Sequence, residues 1–240
     1  MLLEKCSSLD HRVLEAARDY RYLLDRGYPR KPSLDLVVSR YLLSRAERSL
    51  LLRCVHDSAY SLKILRSSIS NNEIRGIPLI IDLLNVCTTI IAFLEGECLY
   101  LCDDGFVRDL GGSRYWRGKK GRVAEALGLI TDHLMLLKPR KIYLVIDRKA
   151  PMSLSILAHA EDMMKKTLSA DVSGVVDNKA DRRIIDLERS MVNEGGAVAT
   201  SDAVILEKVS RVYDLAGKIV INKDQLRVNR SIYDLFHHNL

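Results

Sequence analysis

Three short aliphatic runs in this chain each lead into an aspartate: Leu79-Ile80-Ile81-Asp82, Tyr143-Leu144-Val145-Ile146-Asp147 and Ala197-Val198-Ala199-Thr200-Ser201-Asp202. Runs of this kind, bounded by turn residues, predict strands buried on both faces of a parallel sheet. In such sheets ligands occupy the crevice beyond the carboxyl ends of the strands. Carboxylates delivered together to that edge repel one another unless cations lie between them. The pattern therefore predicts a divalent-metal site on an α/β fold.

From Gly76 onward the signals alternate. Strands are expected near 78–82, 141–146, 172–176, 196–200 and 217–221, with helices near 84–94, 118–136, 152–167, 179–193 and 202–209. Alternation of this sort means a parallel sheet covered by helices on both faces, a three-layer, Rossmann-like α/β architecture. One stretch breaks the rule: Asp103-Asp104-Gly105 lies between strand-like runs at 97–110, which predicts an inserted β-hairpin. Residues before about 70 read as all-helical. Val13, Ala16, Ala17, Tyr20, Leu23 and Leu24 recur at helical spacing, and Gly27-Tyr28-Pro29 stops that helix. Ser33 is placed to cap a second helix, and Ser44-Arg45-Ala46-Glu47 is a capping box that opens a third. Ser67 to Asn72 is the most linker-like stretch, so we divide the chain into a basic helical unit, 1–72, and an α/β unit, 73–240.

The excess of positive charge is uneven. Residues 1–75 carry 14 Lys and Arg against 9 Asp and Glu, and the remainder carries 23 against 22. A basic unit beside a neutral one with clustered acids suits a protein that holds an anionic polymer with one part and acts on it with the other. No apolar stretch reaches the roughly 18–20 residues of a membrane span, and the first residues lack the order of a signal peptide. The five cysteines contain no C-x-x-C and read as reduced thiols of a cytoplasmic protein without zinc. No G-x-S-x-G elbow supports serine-hydrolase chemistry, the histidines suggest no catalytic pair, and His237-His238 fall in a tail expected to be mobile.

Taken singly, the acids have structural explanations as helix caps or dipole partners. Asp82 and Asn85 form D-x-x-N from a strand end into a helix. Asp177 and Asp181 flank the start of another helix, and Asp202 follows Thr200-Ser201. Together with Asp147 they place acids from separate crossover units on the same predicted edge. Oxygen-only ligands suit Mg²⁺ or Mn²⁺, and such ions can activate water against a phosphodiester. A phosphatase-type fold would want D-x-D after the first strand, and position 84 is Leu.

D-x-x-N after the first strand, Ala180-Asp181 opening a late helix, and Thr200-Ser201-Asp202 after the next strand resemble the PIN-like nucleases, in particular their NYN branch. The similarity covers roughly 76–221. With the helical front end, Arg26-Gly27-Tyr28-Pro29 and the Asp103-Asp104-Gly105-Phe106 hairpin, the whole chain resembles a mostly archaeal family in which a helical domain precedes a PIN-like one. The resemblance implies a metal-dependent ribonuclease, with Asp82, Asp181 and Asp202 as metal ligands, Asn85 and Asp147 assisting, and Asp177, Thr200 and Ser201 supporting them. The chain departs from the branch at Arg182, where a second acid is usual, and at Leu83, where Gly is usual. Those departures fit an alternative: a catalytically silent PIN-like module that binds RNA or a protein.

For nucleic-acid contact the segment Arg114, Tyr115, Trp116, Arg117, Lys119, Lys120 and Arg122 pairs cations with aromatics, as single-strand binders do. Arg45 and Arg48, with Arg26, Arg30 and Lys31 beside Tyr28, form a second basic patch. RNA, single-stranded or structured, is the expected partner. These residues fit DNA as well, and they fit a monomer and a homodimer equally.

Overall fold

The structure, a computed structural model, describes residues 6, 8–112 and 120–237. Five helices come first: α1 (His11–Asp25), α2 (Arg30–Arg40), α3 (Arg45–Cys54), α4 (Ser58–Ser67) and the short α5 (Asn71–Ile74). Asp10 caps α1 by accepting from the Arg12 amide, and Ser44 and Glu47 form the capping box of α3. Ser33 does not cap α2 as the sequence suggested. That helix opens at Arg30 behind Pro29, and the buried Ser33 hydroxyl donates back to the Pro29 carbonyl. Proline fits this entry because it has no amide of its own to satisfy.

The α/β unit follows with β1 (Pro78–Asp82), α6 (Leu83–Leu94), β2 (Leu99–Leu101), β3 (Val107–Arg108), α7 (Lys120–Leu137), β4 (Lys141–Asp147), α8 (Ser153–Thr167) and β5 (Asp171–Asp177). It continues with α9 (Ala180–Ser190), β6 (Ala197–Ala199), α10 (Ala203–Leu206), β7 (Val212–Tyr213), α11 (Leu215–Asp224), β8 (Val228–Asn229) and α12 (Ser231–His237). The main sheet has the order β5-β4-β1-β6-β7, and every pairing in it is parallel. Leu79 and Ile81 point to a core built with α6, α7, α8 and α11, while Ile80, Val145 and Val198 pack against α9 and α10. Ile64 of α4 completes that second face, so the helical region covers part of the sheet. Among the described residues no helix is long and apolar enough to cross a membrane.

The fifth strand is not at 217–221, as the sequence suggested; those residues belong to α11, and the edge strand is β7. The apolar run there is continuous because the helix is buried on two sides. Ile219 meets the main core, and Val220 and Ile221 meet the cluster under the small sheet. Asp214 starts the helix by accepting from the Gly217 amide, and a Cβ at Gly217 would lie 2.0 Å from its carboxylate.

The inserted hairpin is present, with β2 and β3 antiparallel and β8 added in parallel to form a three-stranded sheet. Its turn faces inward, unlike a solvent-exposed Asp-Gly turn. Asp103 and Asp104 are fully buried. Asp103 accepts from Arg21 of α1 at 2.6 Å and from the amide and Nδ1 of His56 at 2.6 and 2.7 Å. Asp104 takes Arg108 in a two-pronged pair at 2.8 and 2.6 Å. Arg21 also donates to the His56 carbonyl and the Ser61 hydroxyl, beneath the Phe236 ring of α12. His237, expected in a mobile tail, meets the Asp103 carbonyl through Nε2. The cysteine reading also needs correction. Cys6 pairs with Cys98 and Cys54 with Cys102 as disulfides, and Cys87 is a buried free thiol. Partners 92 and 48 residues apart leave no spacing signal in the sequence.

Burial alone pushes the Asp104 carboxyl up, but the charge and hydrogen bonds of Arg108 hold it below the usual range. Removing one partner leaves the other charge buried and unmatched. Asp104→Ala is expected to cost about 3–5 kcal/mol of unfolding free energy, read by urea denaturation. A loss below about 1 kcal/mol, the scale of an exposed ion pair, would show that Arg108 is held by other groups.

Candidate functional site

β1 and β6 lie side by side, yet the chain leaves β1 toward β4 and reaches β6 from β5 on the other flank. Their shared carboxyl end is therefore the switch point of the sheet, where diverging connections leave a crevice. Asp82 ends β1, and Thr200-Ser201-Asp202 follow β6. Asp147 and Asp177 are register partners at the ends of β4 and β5, and Asp181 lies in the first turn of α9.

Hydrogen bonds lock the first two strand ends together. The Thr200 hydroxyl donates to Asp82 Oδ2 at 2.9 Å, and the Asp202 amide donates to Thr200 Oγ1. Asn85 Oδ1 accepts from both the amide and the hydroxyl of Ser201, at 2.8 and 3.0 Å. Asn85, Thr200 and Ser201 thus hold the loop after β6 against the start of α6. From behind, buried Arg108 donates through Nε to the Ser201 carbonyl at 2.8 Å. One guanidinium therefore joins Asp104 of the hairpin to the loop that presents Asp202.

The acids differ in how far capping accounts for them. The Asp82 carboxyl is eased by the Asn85 amide in the first turn of α6, and Asp181 by its own amide in the first turn of α9, yet burial and neighbouring acids still raise both. Asp202 does cap α10, but both bonds fall on Oδ1, so Oδ2 has no hydrogen bond among the described residues. Asp147 and Asp177 each accept from the amide two residues on, bracing their own turns.

Burial pushes the Asp82 carboxyl up to about 7; the Thr200 hydroxyl opposes this, and the charges of Asp202 and Asp181 add to it. Asp181 is raised as well, by burial and then by Asp202 and Asp147. The acids thus feel one another's charge. Among the described residues, no Lys, Arg or His forms an ion pair with Asp82, Asp147, Asp181 or Asp202. Arg182 leans instead toward Asp186.

A tighter group is His56, Asp103 and Asp104, whose ligand atoms lie within 4.8 Å of one another. Its charge is already matched by Arg21 and Arg108, which makes it a structural network in which a cation would be surplus. Asp82, Asp181 and Asp202 do not draw together that closely, as expected of like charges with nothing between them. Sequence reasoning missed Arg21, His56, Asp104, Arg108 and Asp214. The available signal was Asp104 and Arg108 four apart amid apolar strand residues.

Of the nucleic-acid candidates, Arg114, Tyr115, Trp116, Arg117 and Lys119 lie outside the described residues, and Lys120 is described only as the first residue of α7. Arg122 is engaged by Glu95 and Glu125. Arg45 is exposed on α3. Arg48 is paired with Asp35 at 2.8 Å and lines a cavity of about 620 Å³ between the helical region and the acid edge, with Arg30, Lys31, Arg53 and Asp202.

Residues 12–66 match a family described as Protein of unknown function (DUF434). Uncharacterized protein MJ0935 of Methanocaldococcus jannaschii is 29% identical over 213 residues, covering 87% of this chain and 96% of that protein. No solved structure matches the chain. Residues 71–218, which include every acid of the switch-point crevice, match the family described as Domain of unknown function (DUF5616), and the chain belongs to that family.

Proposed function

We propose that this protein is a divalent-metal-dependent ribonuclease of the PIN-like type, with Asp82, Asp181 and Asp202 as ligands for Mg²⁺ or Mn²⁺. One contrast carries the reading. Buried Asp103 and Asp104 each have a guanidinium at 2.6 Å, whereas the switch-point acids raise one another's proton affinity and form no ion pair among the described residues, the charge of Lys208 only partly offsetting the rise at Asp181. A site that keeps acids together at this cost has a cation as its natural complement. The donors fit the group. They are oxygens only, as hard divalent ions prefer, and Asp202 Oδ2 has no competing hydrogen bond among the described residues.

When bound, the ion supplies Lewis-acid polarisation of the phosphodiester and activation of water. The chain's own residues supply position. Asp82 is aimed by Thr200, and Asp202 is held by the amides of α10. Asn85 and Arg108 keep the Ser201 loop from swinging away. Asp147, close enough to raise Asp181, borders the same space. A second reading, a silent module that binds RNA or protein, is favoured by Arg182 and by the capping duty of Asp202.

Metal must displace the proton on Asp82, so Mn²⁺ affinity is expected to rise as pH increases through about 7. Mn²⁺ should raise the melting temperature of the wild-type protein at pH 8, since a ligand of the folded state stabilises it. Asp82→Asn should abolish that rise. Without metal, a carboxyl raised from 3.8 to about 7 contributes stability that is complete below pH 4 and lost as pH climbs toward 7. Asp82→Asn should therefore be neutral near pH 4 and stabilising at pH 8, by about 1–3 kcal/mol after allowing for the open side of the crevice. Destabilisation at pH 8 would mean that the carboxylate is structural.

Activity is tested with single-stranded RNA. Mn²⁺ should support cleavage and Ca²⁺ should not, and Asp181→Asn should lower the rate by at least about 100-fold, on the scale of losing a major electrostatic group. Binding of RNA without Mn²⁺-dependent cleavage would establish the silent module instead.

A further inference from the structure

The cavity of about 620 Å³ between α2, α3 and the switch point falls in the size range of pockets that enclose a small ligand, about 300–1,000 Å³. One wall is cationic: Arg30 and Lys31 from the start of α2, Arg48 and Arg53 from α3, and Arg108 behind them. The opposite wall is Asn85, Ser201 and Asp202. Asp202 is the single acidic residue of the lining.

Three observations show that this charge is not fully used by the protein. Arg30 spends one donor, of a guanidinium's five, on the Leu52 carbonyl, and Lys31 has no ion pair among the described residues. Arg53 approaches Asp109 only to 3.7 Å. Second, the first turn of α2 has no acidic residue and no side-chain cap, so two cations stand at the positive end of the helix dipole, where an anion belongs. Third, the buried side-chain polar atoms without a partner among the described residues are His56 Nε2 and Arg227 Nε, and of these residues only His56 lines the cavity. His56 is 2% exposed, and Asp103 fixes its ring through Nδ1.

We propose that this cavity seats a phosphate group of the nucleic-acid strand, held by Arg30, Lys31 and Arg53, with buried His56 beside them, whose Nε2 donates to a phosphate oxygen when the ring carries both protons. That the phosphate belongs to a nucleic acid rests on the proposed nuclease function; that the cavity takes phosphate does not. The helical region then places the strand. A phosphate anchored among its cations brings the chain across Asn85 and Ser201 to the acid edge. A phosphate group suits the lining because its oxygens accept from guanidinium and ammonium groups in any of several directions.

The test uses the full-length protein and three single-stranded oligoribonucleotides of one sequence, ending in 5′-phosphate, in 3′-phosphate or in hydroxyls only. Binding is measured with Ca²⁺ present so that the strands stay intact. A terminal phosphate in the seat gives one phosphorylated strand about tenfold tighter binding than the hydroxyl strand, the scale of one charge-assisted contact. Lys31→Glu abolishes that ratio, and Lys223→Glu, an equal change of charge on α11, leaves it intact. If all three strands bind alike and Lys31→Glu weakens all of them more than Lys223→Glu does, the seat holds an internal phosphodiester, which also supports the proposal. Equal effects of the two variants on every strand overturn it. Separately, inorganic phosphate without divalent ions should raise the melting temperature of wild-type protein more than that of Lys31→Glu. If this holds while Mn²⁺ and RNA show no effect, the phosphate seat stands and the nuclease reading falls. If Mn²⁺ binds and RNA is cut without either Lys31 effect, the nuclease reading stands and the seat falls.

Discussion

Asp103 and Asp104 are adjacent, fully buried carboxylates, and each meets a guanidinium from a different part of the chain. Ions this far from water cost several kcal/mol apiece to desolvate, and only well-placed partners offset that cost. The partners here tie the molecule together. Arg21 brings in α1, and His56 brings the turn before α4. Phe236 and His237 bring the last helix. Arg108 reaches from Asp104 to the Ser201 carbonyl. The helical region, the hairpin and the loop of the candidate site therefore share one electrostatic joint.

Two kinds of acid sit near one another in this fold and are treated in opposite ways. The hairpin pair is matched internally by Arg21 and Arg108, and Asp104 is held below its usual range. The switch-point acids form no ion pair among the described residues, and Asp82 is raised to about 7. Rigid support of the second group by the first suits a binding site, because ligands that repel one another must be held by their surroundings. The cationic cavity lies on the helical side of the same crevice. Positive and negative walls facing across one space are the arrangement that an anionic polymer and a divalent cation would together complete.

Local signals were sufficient where periodicity and capping agree with the final burial. Four of the five expected strands, the capping box at Ser44 and Glu47, and the hairpin at Gly105 all appear. They failed where burial is two-sided or distant. Residues 217–221 look like a strand because α11 is covered by both sheets. Ser33 looked like a cap because the sequence does not show that Pro29 starts α2 three residues earlier. The cysteine pairs depend on chain segments that meet only in the folded molecule.

What the chain determined by itself is the parallel α/β architecture and the delivery of Asp82, Asp147, Asp181 and Asp202 to strand ends and helix starts. Strand periodicity is local, and a strand's carboxyl end carries whatever residue follows the apolar run. What only the tertiary structure decided is which of these acids share a field, which are engaged as caps, and which cations face them. Those outcomes depend on strand order, on the packing of the helical region over the sheet, and on the burial of an Asp-Asp turn that local rules place in water. Electrostatic energy varies with distance and dielectric, and both are set by packing between segments far apart in sequence.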